Sequence, residues 1–185
     1  SIIMDVKSSK VFFDEIKKLG CIPVMYKTGH SVIKDKMLEL NSPLSGEMSG
    51  HIMYKDNFFG YDDAMYVALR FLQILSINKY SLNDIMKNYP KTHSTPETRF
   101  KVPESRKFQI VEEIIDRLSK QNLNVSSIDG VRIESKEGWW GIRASNTENA
   151  LTVRAEALNK SSLRVMMNNI ENQLKLSNIE FKFST

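Results

Sequence analysis

Three short polar segments carry side chains suited to holding hydroxyl groups or oxyanions. Lys27-Thr28-Gly29-His30 closes one apolar run and precedes helical spacing. With a sharp backbone turn at Gly29, His30 projects from the C-terminal edge of a sheet, where open α/β folds place ligands; the plainer reading is an imidazole that caps or packs at a helix start. Gly46-Glu47-Met48-Ser49-Gly50-His51 brackets a carboxylate, a hydroxyl and an imidazole between glycines. Strand-like alternation puts Glu47, Ser49 and His51 on one side and Met48 on the other. An ionised carboxylate accepts from two adjacent hydroxyls, and Ser and His add donor and acceptor positions. The segment therefore suits a polyol, unless it is only a solvated loop with glycines at its turns. It makes a poor metal site, with one carboxylate, one His and no partner at zinc-ligand spacing. Arg143-Ala144-Ser145-Asn146-Thr147 offers a guanidinium, two hydroxyls and an amide after Trp139-Trp140. Such a set surrounds phosphate oxygens, with Arg as the bidentate partner, or else Ser145 and Asn146 cap their own turn.

Other chemistries lack their residues. No GxxxxGK[ST] loop and no GxSxG elbow occurs, and three His with no obvious orienting carboxylate do not assemble a hydrolase triad. Cys21, the only cysteine, follows Gly20 into an apolar run and is expected to be packed rather than reactive. Its solitude excludes an internal disulfide framework and fits a reducing, cytoplasmic compartment. The chain has 26 Lys+Arg against 22 Asp+Glu. This mild excess is scattered, without the basic stripe that nucleic acid demands, and suits a small anion. No apolar run approaches the roughly 18 residues of a membrane span. Neither nucleic acid nor membrane is an expected partner.

The elements that must position these segments differ between the two halves. Ser8 or Ser9 caps a helix to about Leu19, with Val11, Phe12, Ile16 and Leu19 on one stripe and Gly20 as its stop. A strand at Ile22–Tyr26, a helix at Ser31–Leu40, a strand at Ile52–Tyr54 and a helix from Ala64 to about Leu75 follow. The last is capped by Asp62 or Asp63, and its all-round apolar composition predicts burial. This alternation predicts an α/β layer with parallel strands over residues 1–88. Residues 89–96, polar and with two prolines, read as a linker in which His93 is exposed. Residues 97–185 read as a small α+β domain. Its antiparallel sheet is drawn from Glu97–Val102, Ile128–Glu134, Trp139–Ala144 and Leu151–Ala157, with two helices at Ser105–Lys120 and Ser161–Leu176. The Ser105–Lys120 stripe is Phe108, Val111, Ile114 or Ile115, and Leu118. Of the adjacent tryptophans, one is expected in the core and the other on a partner-facing surface. The start at Ser1-Ile2, straight into an apolar strand, reads equally as a cut inside a domain or as a short native terminus.

Taken in order, Asp5-Val6-Lys7, Lys27-Thr28-Gly29-His30-Ser31, Gly46-Glu47-Met48-Ser49-Gly50-His51, Phe59-Gly60-Tyr61-Asp62-Asp63 and Arg143-Ala144-Ser145-Asn146-Thr147 closely resemble the C-terminal part of the α-D-phosphohexomutases, in particular their bacterial phosphomannomutase/phosphoglucomutase branch. The resemblance runs from Ile2 to about Leu176. It implies a third domain entered after its first helix, then a whole fourth domain, out of four arranged around one cleft. The family's phosphoserine loop (Thr-Ala-Ser-His-Asn) and its Asp-Gly-Asp-Gly-Asp magnesium loop belong to the other two domains, and neither string occurs here. On this resemblance the chain is a fragment, inactive alone, whose partners are hexose phosphates and the missing N-terminal domains.

The implied parent moves a phosphoryl group between O1 and O6 of glucose or mannose through a 1,6-bisphosphate, with Mg2+. Glu47 and Ser49 would hold sugar hydroxyls, and Arg143, Ser145, Asn146 and Thr147 the non-reacting phosphate. Lys7, His30 and His51 are the catalytic candidates, with either imidazole available for proton transfer. No metal ligand is assigned. Met48 stands where glucosamine-specific members carry Gln, which leaves a phosphoglucosamine mutase fragment as the alternative within the family and a non-catalytic phosphosugar-binding module outside it. Where the family's phosphate loop continues Asn-Thr-x-Pro, this chain has Asn146-Thr147-Glu148-Asn149, which predicts a looser turn carrying an added charge.

Overall fold

The apolar run Ile2-Ile3-Met4 becomes the centre of a sheet. In the computed structural model, which describes residues 1–77, 81–121 and 123–184, β1 (Ile2–Asp5) lies between β2 (Pro23–Tyr26) and β3 (Leu44–Gly46), parallel to both. β4 (Ile52–Tyr54) adds antiparallel at the far edge, so the sheet is mixed rather than all parallel. β2 and β3 flank β1 on opposite sides. Right-handed crossovers therefore put α1 (Lys10–Lys18) and α2 (His30–Glu39) on opposite faces. The core beneath α2 is Ile3, Ile33, Met37 and Met53, while α1 buries Phe13. Ser9 caps α1 by accepting the Val11 N–H, and Gly20, at φ +76°, closes it as Cys21 and Gly20 donate back to the Ile16 and Lys17 carbonyls.

Three sequence expectations for this unit change. Phe13, not Leu19, is the buried residue of α1; Leu19 sits past the last turn and is 75% exposed. Cys21 is exposed, because it belongs to the helix stop that precedes edge strand β2. The apolar helix α3 (Ala64–Ile77) has no buried residue. It meets the sheet chiefly at edge strand β4, which leaves Met65, Leu69 and Leu72 in solvent. A short α4 (Leu82–Met86), capped by Ser81, completes the unit.

The second unit begins at Lys91. Part of the expected linker is structured: β5 (His93–Ser94) pairs with β10 (Ala150–Ala157), and Thr95 exchanges hydrogen bonds with Ala155 through its backbone and hydroxyl. β6 (Thr98–Lys101) also pairs with β10, and β9 (Gly138–Ala144), β8 (Val131–Glu134) and β7 (Asn124–Ser126) follow, all antiparallel. α5 (Lys107–Ser119) buries Ile110, Val111, Ile114 and Leu118 but leaves Phe108 half exposed. α6 (Lys160–Leu176) buries Met166, Ile170 and Leu174. Both helices cover one face of the sheet, with Trp140, Ile142, Leu151, Val153 and Ala155 beneath them. Trp139 points to the opposite face, as period-2 alternation requires. It does not form a partner surface: its Nε1 donates to Glu156, the Arg132 guanidinium stacks 3.8 Å above its ring, and it is 1% exposed. Beyond α6, Ile179, Phe181 and Phe183 pack back onto the core.

Candidate functional site

The first cluster forms at the C-terminal edge of the parallel strands, where each strand hands over to a loop. Asp5, fully buried at the end of β1, accepts from Ser8 Oγ, from Thr28 Oγ1 (3.4 Å) and from the Met48 N–H (3.1 Å). One carboxylate thereby ties the loops after β1, β2 and β3. Lys7 lies half-buried in the turn after β1, and His30 is the exposed first residue of α2.

Segment 46–51 is a hairpin connection and not a continued strand. Glu47 N–H donates to the His51 carbonyl and Gly50 N–H to the Glu47 carbonyl. Alternation therefore does not apply across it, yet the expected side chains still gather. Glu47 is 7% exposed; its Oε1 accepts the Gly29 N–H (2.9 Å) and its Oε2 the Ser49 hydroxyl (3.1 Å). A carboxylate offers about four acceptor positions. Two are used internally, by Gly29 and Ser49, and two remain for further donors.

His51 lies beyond the turn, its ring 6.0 Å from that of His30. Its Nδ1 is 2.6 Å from Asp62 Oδ2. An ionised carboxylate only accepts, so the network assigns a proton to Nδ1 and leaves Nε2 on the side of the ring away from Asp62. Asp62 is the orienting carboxylate that sequence reasoning did not find. The signal was present: of the two candidate caps, Asp63 takes the role by accepting the Tyr66 N–H, and this releases Asp62 for His51.

The second cluster ends β9. Arg143 is mostly buried, and its Nε donates to Asp129 Oδ2 at 2.9 Å. The buried Ser145 hydroxyl oxygen accepts the Thr147 and Glu148 N–H groups, which leaves its own proton for an outside acceptor. Asn146 and Thr147 are exposed. The turn is capped by its own Ser145 side chain, with the Arg143 guanidinium at its start. The looseness expected without proline does not appear. Buried Lys107 donates to the Glu148 carbonyl, the Val102 N–H to that of Asn149, and the Glu148 carboxylate is held by Arg99 at 2.8 Å. An open recess of about 520 Å³ beside the turn is lined by Lys101 and residues 147–150.

Both halves of the chain match known protein domains. The model for the phosphoglucomutase/phosphomannomutase α/β/α domain III matches residues 1–93, and the model for the C-terminal domain matches residues 97–173. The chain belongs to the phosphoglucomutase/phosphomannomutase family. It is 41% identical over 174 residues to a phosphomannomutase/phosphoglucomutase of Pseudomonas aeruginosa, a match covering 94% of this chain and 38% of that protein. The chain therefore spans well under half the length of the curated relatives it matches. Among solved structures, a family protein of Burkholderia thailandensis superposes with a TM-score of 0.86 at 31% identity, over 96% of this chain and 37% of that one. An N-acetylphosphoglucosamine mutase of Aspergillus fumigatus, solved with glucose 1,6-bisphosphate, superposes at 0.67 with 15% identity over 96% and 38%, a likeness of fold. The family's two domain models meet where the structure divides, between Pro90 and Glu97.

Proposed function

We propose that this chain supplies the sugar-hydroxyl and distal-phosphate contacts of a phosphohexomutase that interconverts hexose 1-phosphate and hexose 6-phosphate through a 1,6-bisphosphate. The observation that carries this reading is the Glu47 carboxylate, held by Gly29 and Ser49 with acceptor capacity for two more donors. Adjacent ring hydroxyls present the same pair of donors whichever end of the sugar carries the reacting phosphate, so one carboxylate serves both orientations. Arg143, Ser145, Asn146 and Thr147 take the phosphate that is not reacting, and charge-assisted bonds of that kind contribute about 1.5–3 kcal/mol each. Nε2 of His51, set by Asp62 on its other nitrogen, accepts or returns the proton of the attacking or leaving hydroxyl. Lys7 and His30 add a cation and a second imidazole on the same edge.

Magnesium is not assigned to these residues. Among the described residues no three His, Cys, Asp or Glu side chains converge on one point, so no step is drawn through a metal. The chain also lacks the family's phosphoserine string, so it performs no phosphoryl transfer alone. Its partners in this reading are hexose phosphates and the domains that the longer relatives carry in addition.

The test is a coupled mutase assay with glucose 1-phosphate and catalytic glucose 1,6-bisphosphate. The 185-residue chain is expected to give no turnover, and addition of the complementary N-terminal half is expected to restore it. With Glu47→Gln in the complemented enzyme, kcat/KM is expected to fall about a hundredfold, as two charge-assisted hydrogen bonds are weakened to neutral ones. Turnover by the chain alone, or an undiminished Glu47→Gln enzyme, overturns the proposal. Micromolar glucose 1-phosphate binding by the chain without complementation points instead to a stand-alone phosphosugar module, and preference for glucosamine 1-phosphate to the other branch of the family.

A further inference from the structure

We propose that Asp129 is the positioning residue of Arg143, presenting its guanidinium to phosphate with only the terminal nitrogens outward. This rests on the reading of residues 143–147 as the phosphate turn.

The guanidinium offers two edges to a bidentate acceptor: one made by Nε and a terminal nitrogen, the other by the two terminal nitrogens. Asp129 Oδ2 occupies the Nε edge at 2.9 Å, with both side chains 14% exposed. What remains for an oxyanion is the end-on fork, and its direction is set by a carboxylate in a mostly buried position rather than by a freely rotating side chain. The backbone makes this contact compulsory. Asp129-Gly130 is the turn that enters β8, and it presses directly on the strand that carries Arg143. Gly130 has φ +82°, and a Cβ added there would lie 2.4 Å from the Ile142 carbonyl oxygen and 2.7 Å from Arg143 Cα. Only glycine allows the approach, and the approach brings the preceding carboxylate to Nε. The nearby acid Glu148 is already engaged by Arg99. Asp129 thus partners Arg143 while Glu148 is held elsewhere.

A carboxylate beside a phosphate site also repels the ligand, so charge and geometry must be separated experimentally. The test uses the whole 185-residue chain, isotopically labelled, with glucose 1-phosphate titrated to tens of millimolar while the Arg143 Nε–H resonance is followed by NMR. Wild type is expected to show a dispersed, exchange-protected Nε–H signal, with the ligand shifting the terminal-nitrogen signals. Asp129→Ala is expected to lose that protection and weaken binding about tenfold, whereas Asp129→Asn, whose amide oxygen still accepts from Nε, is expected to stay within about threefold of wild type. In an Arg143→Ala background Asp129→Ala is expected to have no further effect on binding, a non-additivity that a general loss of structure does not give. If the alanine variant fails to fold, Asp129→Ser, too short to reach Nε, replaces it. Tight binding by Asp129→Ala, or an equal loss in the Arg143→Ala background, overturns the inference and leaves the phosphate turn standing. A wild-type Arg143 that ignores the ligand removes the phosphate reading and the inference with it.

Discussion

The hairpin at residues 46–51 belongs to a unit with a small core, a cluster of Ile3, Ile33, Met37 and Met53 beside buried Ile2, Val6 and Phe13, whereas the turn at 143–147 ends a strand whose core joins two helices and the inner face of a six-stranded sheet. The first unit leaves Met65, Leu69 and Leu72 of α3 in water; the second covers both faces of Trp139-Trp140. In the first unit, polar ties hold the candidate loop: Asp5 to Met48, Glu47 to Gly29, His51 to Asp62. In the second, polar ties from Ser145, Lys107 and Arg99 hold a loop whose two strands already pair with each other. Apolar burial sets the stability of a unit, while buried polar ties set the geometry of a site, and this molecule weights the two differently in each half.

The largest expected effect probes the richer core. Both tryptophans lie in the second unit, so their fluorescence reports that unit alone, while far-ultraviolet circular dichroism reports both. In urea, the dichroism of the first unit is expected to fall before the fluorescence changes. Leu151→Ala, at a fully buried position, is expected to move the fluorescence midpoint by an amount equivalent to about 2–5 kcal/mol. The early dichroism phase should not move. Coincident transitions would show that the two units unfold as one.

A smaller effect is expected from acid. Ser177, Arg106 and Arg117 hold the Glu113 carboxyl below its ordinary 4.5. For Glu171 burial acts upward, but Lys182 and the Phe183 N–H outweigh it, and the value is again lowered. A lowered folded value means stability present above about pH 4.5 and lost as pH falls through the folded values. Fluorescence-monitored stability should therefore drop below pH 4.5, and Glu171→Gln should flatten that drop. A pH-independent fluorescence midpoint would contradict it.

The smallest effect belongs to α3. Leu69→Gln is expected to change stability by no more than about 0.5 kcal/mol, since the side chain is 65% exposed, while binding of the dye ANS falls. A loss comparable to that of Leu151→Ala would mean that α3 is covered in solution.

Most of this architecture was legible in the residues. The alternation of elements in residues 1–88, the helices around 107–119 and 160–176, and the strands at 138–144 and 150–157 follow from period and caps. β3, β5, β7 and the five-residue α4 were not legible, because elements this short show too little period. α3 misled because composition reports what a helix prefers to touch, not whether a neighbour exists. Polar density brought Glu47, Ser49 and His51 forward as candidates, while the alternation read across them does not hold in a hairpin connection. Asp5, Asp62 and Asp129 were missed because each acts through a contact made at a distance along the chain: Asp5 with Met48, Asp62 with His51, and Asp129 with Arg143.

The Asp5 carboxylate has a consequence for how such a site can change. Two crossover loops and a hairpin hang from one peg at the end of the central strand. Lengthening or re-aiming any of them pulls on the other two through the shared oxygens. Variation in these loops is therefore channelled to exposed positions such as 49, while the suspension itself must be kept whole or replaced at a stroke.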